Sequence, residues 1–322
     1  MTLKRLGALV AAIVLIAGAW VLRTNVLDDD ENTGGGGASN ELDVLVCAEE
    51  LAAACNAAGN QVGIDVRIEP ADTTLRNWSS NPTDELAPNG WATLQPLPEM
   101  AALSRDAAED PLEIETVEVS TSPLVLVVDA SRAPLLVDAC GDPVEWRCLG
   151  ELAETSWSDI DASASNGTVR PGFARTPDTA IGQLGVGAAL LGAFDGAPLV
   201  GNPDVIVWGQ PLVEAVPARS LVADTAIGTI QVRQSALDVA VGARAELINP
   251  DDPRFTVVDV EQPIDATVVI ARPMGGGVPD ALRSALADEL TASGWAAPSG
   301  ESSVPSANDL LNTTAVWENL NS

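Results

Sequence analysis

The sequence predicts an α/β protein built as two lobes in series, with a single apolar helix ahead of them. Three observations carry that prediction. Apolar strand-like runs alternate with helical periodicities from about residue 42 to residue 296, an order that calls for a largely parallel sheet with helices on both faces. The alternation begins afresh near residue 130, after the continuous apolar run "TSPLVLVVDA", and a comparable run, "DATVVIARP", follows near residue 266; these two are the strands expected to carry the chain between lobes. Finally, 322 residues with 46% hydrophobic content suffice for two ordinary lobes and a substantial core.

Taken in order, the opening "MTLKRLGALVAAIVLIAGAWVLRTNVLDDDE" sets Lys4 and Arg5 before 17 uncharged residues, Leu6–Leu22, and Asp28, Asp29, Asp30 and Glu31 after them. That run is at the short limit for crossing a bilayer. The charge asymmetry puts residues 1–5 in the cytoplasm and the body outside. Ala17-Gly18-Ala19 offers a signal-peptidase site, and cleavage there would give a secreted protein instead. Trp20-Val21-Leu22 carry the apolar run straight through that site and favour an uncleaved, single-pass anchor in the cell membrane. Residues 23–41 form an acidic and glycine-rich linker, with the tether at Gly34–Ala38.

In the first lobe "LDVLVCAEELAAACNAAG" reads as strand then helix and "QVGIDVRIEP" as an alternating strand. "NGWATLQPLPEMAALSRDA" follows as strand, loop and helix. The second lobe reads as helix at "DPVEWRCLGELAETSW", strand at "GTVRPGFA" and helix at "TPDTAIGQLGVGAALLGAF". It continues with strands at "PDVIVWGQ" and "AIGTIQVRQ", helix at "SALDVAVGARAEL" and a strand at "RFTVVDV". "DALRSALADELTASGW" is an amphipathic closing helix stopped by Gly294. Lobe 1 is then 42–128 with 266–296, lobe 2 is 129–265, and 297–322 is a C-terminal tail.

Composition excludes several functions. His is absent, which removes Ser-His-Asp and Cys-His catalysis and the commonest metal ligand. A formal net charge of −30 repels phosphate backbones, so nucleic acid is not a partner. Most of that charge reads as a solvated surface. The chain has four cysteines, at 47, 55, 140 and 148. Exported cysteines in even number are expected to be oxidised, and three pairings exist. The two equal short spacings favour Cys47–Cys55 and Cys140–Cys148. Neither the C-x-x-C spacing nor the His of a metal centre is present, so no metal and no cofactor is expected.

Four stretches in this order carry a resemblance: "LDVLVCAEELAAAC", "TSPLVLVVDASRAPLL", "RTPDTAIGQLGVGAALL" and "SALDVAVGARAELINPDDPRFTVVDVEQPIDATVVIARP". Together they resemble the type II extracellular solute-binding proteins, the fold of molybdate- and sulfate-binding receptors. In particular they resemble the solute-binding-like region that precedes von Willebrand factor A domains in some actinobacterial membrane proteins. "SANDLLNTTAVWENL" resembles the helical segment leading into such a domain. The resemblance implies a type II periplasmic-binding-protein-like fold with a central cleft, a hinge, and a small polar solute held between lobes.

The residues are consistent with such a cleft. In "ARTPDTAIG", Thr176 reads as an N-cap, Pro177 as the first helical residue and Asp178 as a complement to the dipole. Backbone N–H groups at that end, with the hydroxyls of Thr176 and Thr179, are candidate ligand contacts. Asp72, Thr73, Thr74, Thr93, Thr121, Ser122 and Gln210 are candidates from strand ends, where such sheets bind ligands. Of these, Thr73, Thr74, Thr93, Ser122 and Gln210 join Thr176 and Thr179 as the expected ligand set. The loop after the first strand departs from the oxyanion receptors: it holds Ala48-Glu49-Glu50 rather than small hydroxyl residues. The two carboxylates suit the dipole of the helix that follows but repel an oxyanion.

Adjacent carboxylates at a helix start diverge, so no glycosidase pair forms and no enzymatic activity is expected. The expected function is that of a membrane-anchored, extracytoplasmic solute-binding protein, receptor of an ABC-type uptake system with a permease partner. The alternative is a non-transport envelope module of the same fold, working with a von Willebrand factor A protein.

Overall fold

A computed structural model describes residues 42–80, 89–164, 167–173, 179–215, 223, 225–300 and 303–321. The apolar run Leu6–Leu22, the linker and Thr176 lie outside the described residues. Among the described residues no helix is long and apolar enough to cross a membrane.

The first lobe is laid down as strands and helices in alternation. Strand β1 (Val44–Ala48) is followed by a short 3-10 turn, Glu49–Leu51, and by helix α1 (Ala52–Val62), which Gly63 ends in the left-handed conformation at φ 76°. Next come β2 (Asp65–Glu69), α2 (Ala71–Ser80), β3 (Trp91–Leu94) and α3 (Leu97–Ala107). Strands β2 and β3 flank β1, and all three are parallel.

Strand β4 (Ile114–Asp129) then leaves this lobe for the other. Its first part pairs antiparallel with β8 (Asp265–Pro273) from Ile114 to Pro123. Its second part, Leu124–Asp129, pairs antiparallel with β6 (Val239–Ala243) and β7 (Phe255–Val258). β8 sits between β3 and β4, so the strand order is β2-β1-β3-β8-β4-β6-β5, with β7 also on β4. The expected largely parallel sheet is therefore mixed, because both strands beside the crossover run against their neighbours. The chain passes between lobes at Ser122–Leu124 and at Ile264–Asp265, where Leu124 N–H donates to the Ile264 carbonyl.

The second lobe holds α4 (Ala133–Cys140), α5 (Trp146–Leu152), α6 (Trp157–Ile160) and β5 (Pro171–Gly172). It continues with α7 (Ala180–Ala193), α8 (Pro203–Ala215), α9 (Ala226–Val232) and the strands β6 and β7. Three element types differ from expectation. "PDVIVWGQ" is helix α8: the Asn202 side chain accepts from Asp204 N–H, Pro203 opens the first turn, and Val205, Trp208 and Leu212 form one buried face. "AIGTIQVRQ" is helix α9, capped by Thr225. The expected helix over 235–247 is instead β6, whose five small residues are all buried between β4 and β5. A short apolar run has no period to separate strand from helix, and the two-sided burial decided. Of the strand expected at "GTVRPGFA", only Pro171–Gly172 pairs, with β6.

Helix α10 (Asp280–Ala292) packs on α1. Helix α11 (Ala307–Leu320) lies across α3 of the first lobe and α7 and α8 of the second. Its Leu310, Thr313, Trp317 and Leu320 are buried, and Trp317 stands 5.8 Å from the Phe173 ring. α7 makes room for it at Gly187, where a Cβ would come 2.4 Å from Leu310 Cδ1. Two disulfides, Cys47–Cys55 and Cys140–Cys148, each span a sequence separation of 8.

Candidate functional site

The site begins where β1 ends. Cys47 is buried in the strand and bonded to Cys55 on α1, so the turn carrying Glu49 and Glu50 is clamped at both ends. The sequence suggested that both carboxylates serve the helix that follows them. For Glu50 this is corrected: its side chain crosses to the second lobe. Oε1 accepts from Ile181 N–H at 3.2 Å, and Ala180 N–H also donates to the carboxylate. These are the first residues of α7, whose unpaired N–H groups and dipole favour a negative charge. The chain thus places its own carboxylate where an anionic ligand would lie. Oε2 of Glu50 is buried with no partner. Burial raises the Glu50 pKa above the ordinary carboxylate range. The backbone donors pull it back only in part, and Glu49 pushes it further up.

A second carboxylate faces it from the other lobe. Glu246 lies on the short turn Arg244–Glu246 after β6 and accepts from Ala243 N–H at 2.8 Å. The Thr225 hydroxyl donates to it as well. A Cβ at Gly242 would come 2.3 Å from Glu246 Oε2, so only glycine leaves the carboxylate its place. Burial pushes the Glu246 pKa up to about 7; the Thr225 and Ala243 hydrogen bonds oppose the shift, and the charge of Glu50 adds to it. Arg244, on the same turn, is engaged with Asp259 at 3.0 Å. The turn is held to the crossover strand by Ala245 N–H, which donates to Ser122 Oγ at 3.0 Å.

The two helix starts around these carboxylates share a sequence. "DTAIG" occurs at 178–182 and again at 224–228. In each copy the threonine is the N-cap: Thr179 Oγ1 accepts from Gly182 N–H at 3.0 Å, and Thr225 Oγ1 from Gly228 N–H at 3.1 Å. The expected N-cap, Thr176, is corrected to Thr179, which therefore has a capping role that sequence reading gave to its neighbour.

Two more buried oxygens without partners lie along this seam. Thr93 on β3 is fully buried and its hydroxyl is unpartnered. It stands one residue past the Cys47–Ala92 pairing of β1 and β3, level with the turn that carries Glu50. Gln183, in the first turn of α7, is 3% exposed and its Oε1 is unpartnered. Side chains on a helix slant toward its N-terminus, so Gln183 leans to the end that Glu50 caps. Helix α7 packs on β3, which brings these two residues to one seam.

The other expected ligand residues have local tasks. Thr73 and Thr74 lie in helix α2 rather than at a strand end. Thr74 donates to Glu69 at 3.0 Å, while Thr73 donates to Asp72 and accepts from Arg76. Asp72 is paired with Arg76. Ser122 supports the Glu246 turn. Gln210 sits on helix α8, not at a strand end, and donates to Glu214 at 2.9 Å. Thr121 exchanges two backbone hydrogen bonds with Ala296, while its hydroxyl, like that of Thr93, is buried without a partner. Sequence reasoning missed Gln183, Thr225 and Glu246; the repeated "DTAIG" contains Thr225 and directly precedes Gln183, and Glu246 lies outside both copies. Among the described residues, no three of Cys, Asp and Glu gather as a metal site.

The fold is the two-lobed, mixed α/β fold seen in type II periplasmic solute-binding proteins. Similar solved structures include iron-bound HitA from Pseudomonas aeruginosa, 13% identical with a TM-score of 0.54, covering 87% of this chain and 99% of that one. The Atu4243-GABA receptor is 12% identical with a TM-score of 0.50, covering 87% and 98%. At these identities the likeness establishes the fold and leaves the ligand open. No protein-family model matches the chain, and no curated protein matches it in sequence.

Proposed function

We propose that this chain is an extracytoplasmic solute-binding protein that holds a small polar solute between its lobes. The observation that carries the reading is the seam itself. Glu50 of one lobe caps a helix of the other, and the buried oxygens of Glu50, Gln183 and Thr93 beside it have no partner in the protein. Buried polar groups are ordinarily hydrogen-bonded, and a bound solute supplies what is missing. Opening would turn on the two crossing segments, 122–124 and 264–265. Thr179, as the cap of α7, and Thr93 remain in the proposed site.

The reading includes an anchor at Leu6–Leu22 and a membrane permease as partner, both supported by sequence reasoning alone. Thermal-shift screening of the full-length chain against amines, amino acids, sugars and anions tests it. A solute at 100 times its dissociation constant adds about 2.7 kcal/mol of stability, and small-angle scattering of the same sample should show the lobes closing. If no solute in any class does so, the reading fails.

One observation favours a second reading. Glu50 already occupies the helix terminus that an anion would take, as in a module that has given up solute binding for envelope assembly. That module is proposed to work with a von Willebrand factor A protein.

A further inference from the structure

We propose that the seam between Glu50 and Glu246 binds a small organic cation through its ammonium group. This rests on the solute-binding reading and names the ligand class. The unmet need of the site is for donors. As a carboxylate Glu50 Oε2 accepts only, Gln183 Oε1 accepts only, and the Thr93 hydroxyl can accept as well. Gln183 and Thr93 are more than nine-tenths buried, out of contact with bulk water.

Charge points the same way. Glu50, with Glu49 beside it in the same turn, faces Glu246 across the lobes. Among the described residues, the β1 end, β3, the first turns of α7 and α9 and the Glu246 turn carry one base, Arg244, which is turned to Asp259. An anion would have to displace Glu50 from the start of α7 and would then meet the Glu246 carboxylate as well. A bare metal ion fits poorly, because no three potential ligands gather among the described residues. An alkylammonium brings both positive charge and N–H donors.

It would also compete with the proton that Glu246 holds near neutral pH, since burial and Glu50 push that carboxyl to about 7. Binding should therefore strengthen as pH rises.

Isothermal titration of the full-length chain decides the matter. The probes are n-butylamine hydrochloride, sodium butyrate as an anion of the same size, and potassium chloride at equal ionic strength. Butylamine should bind saturably at pH 8 and about tenfold more weakly at pH 6, as expected when a proton of pKa about 7 occupies the site. Glu246→Gln keeps the shape and should weaken binding at least tenfold at pH 8. Thr93→Val should weaken it without altering the pH dependence. The inference is overturned if butyrate binds as well as butylamine, if Glu246→Gln binds the amine normally, or if butylamine gives no more heat than potassium chloride. Should the amine fail while a sugar or anion from the thermal screen binds and closes the lobes, the ligand class is wrong and the solute-binding reading stands. Should every solute fail, both fall.

Discussion

Replacing Glu246 with Gln should stabilise the protein at alkaline pH and flatten its pH dependence. The Glu246 carboxyl is raised from 4.5 to about 7 in the folded chain. At about 1.4 kcal/mol per pH unit, and allowing for its partial exposure, the shift corresponds to about 2–3 kcal/mol. The folded pKa lies above the unfolded one, so the folded chain holds this proton more tightly. The stabilising contribution is fully present below about pH 4.5 and is lost as pH rises through about 7. Gln keeps an acceptor for the Ala243 N–H and the Thr225 hydroxyl and carries no charge to repel Glu50. Urea unfolding of wild type and variant at pH 5 and pH 8 measures the effect. Between those values the wild type should lose about 2–3 kcal/mol more than the variant. At pH 8 the variant should melt roughly 4–12 °C higher. Equal pH slopes in the two proteins would show that Glu246 ionises freely in the fold and that the facing-carboxylate account is wrong.

Three further outcomes follow from the same geometry. Thr179→Val removes the hydroxyl that accepts from Gly182 and should cost about 1 kcal/mol in chemical denaturation, with Thr179→Ser near wild type; a neutral Val variant would return the cap to Thr176. Trp317→Ala empties a buried site beside Phe173 and should cost about 3–5 kcal/mol, so a loss under 1 kcal/mol would mean that α11 is not seated in the core. The double variant Cys47→Ala, Cys55→Ala opens a short loop and should lose about 2–3 kcal/mol in a non-reducing melt. Unchanged stability there would mean that the Glu49–Glu50 turn does not depend on its clamp.

How much of this was legible in the sequence follows the physics of each element. Strands β1, β2, β4 and β8 were readable because they are apolar or alternating runs of strand length with turn residues at their ends. α8 and β6 were exchanged in type because each opens on a short apolar run whose period does not separate strand from helix. "NPD" before α8 was the only local mark of its class, and β6 is a strand through the neighbours on either side of it. Of the site, the importance of "TPDTAIG" and the oddity of Glu49-Glu50 could be seen. That Glu50 serves α7 rather than α1 could not, since the two residues bonded, Glu50 and Ile181, lie 131 positions apart. Glu246 carried no signal of its own. The second "DTAIG" was visible but had no meaning until both copies were seen to start helices around a pair of acids.

The late position of β8 and α11 in the chain bears on how the molecule is made. The sheet of the first lobe is interrupted until β8, Asp265–Pro273, enters between β3 and β4. The second lobe lacks Leu310, Trp317 and Leu320 until α11 arrives. Neither lobe can therefore close its core before β8 and α11 have left the ribosome. Both must wait for segments that lie far along the chain from the elements they complete. Folding then becomes a single event dominated by contacts between distant residues, which is slow, and a chain truncated before α11 leaves apolar faces of α3, α7 and α8 open to solvent and to aggregation.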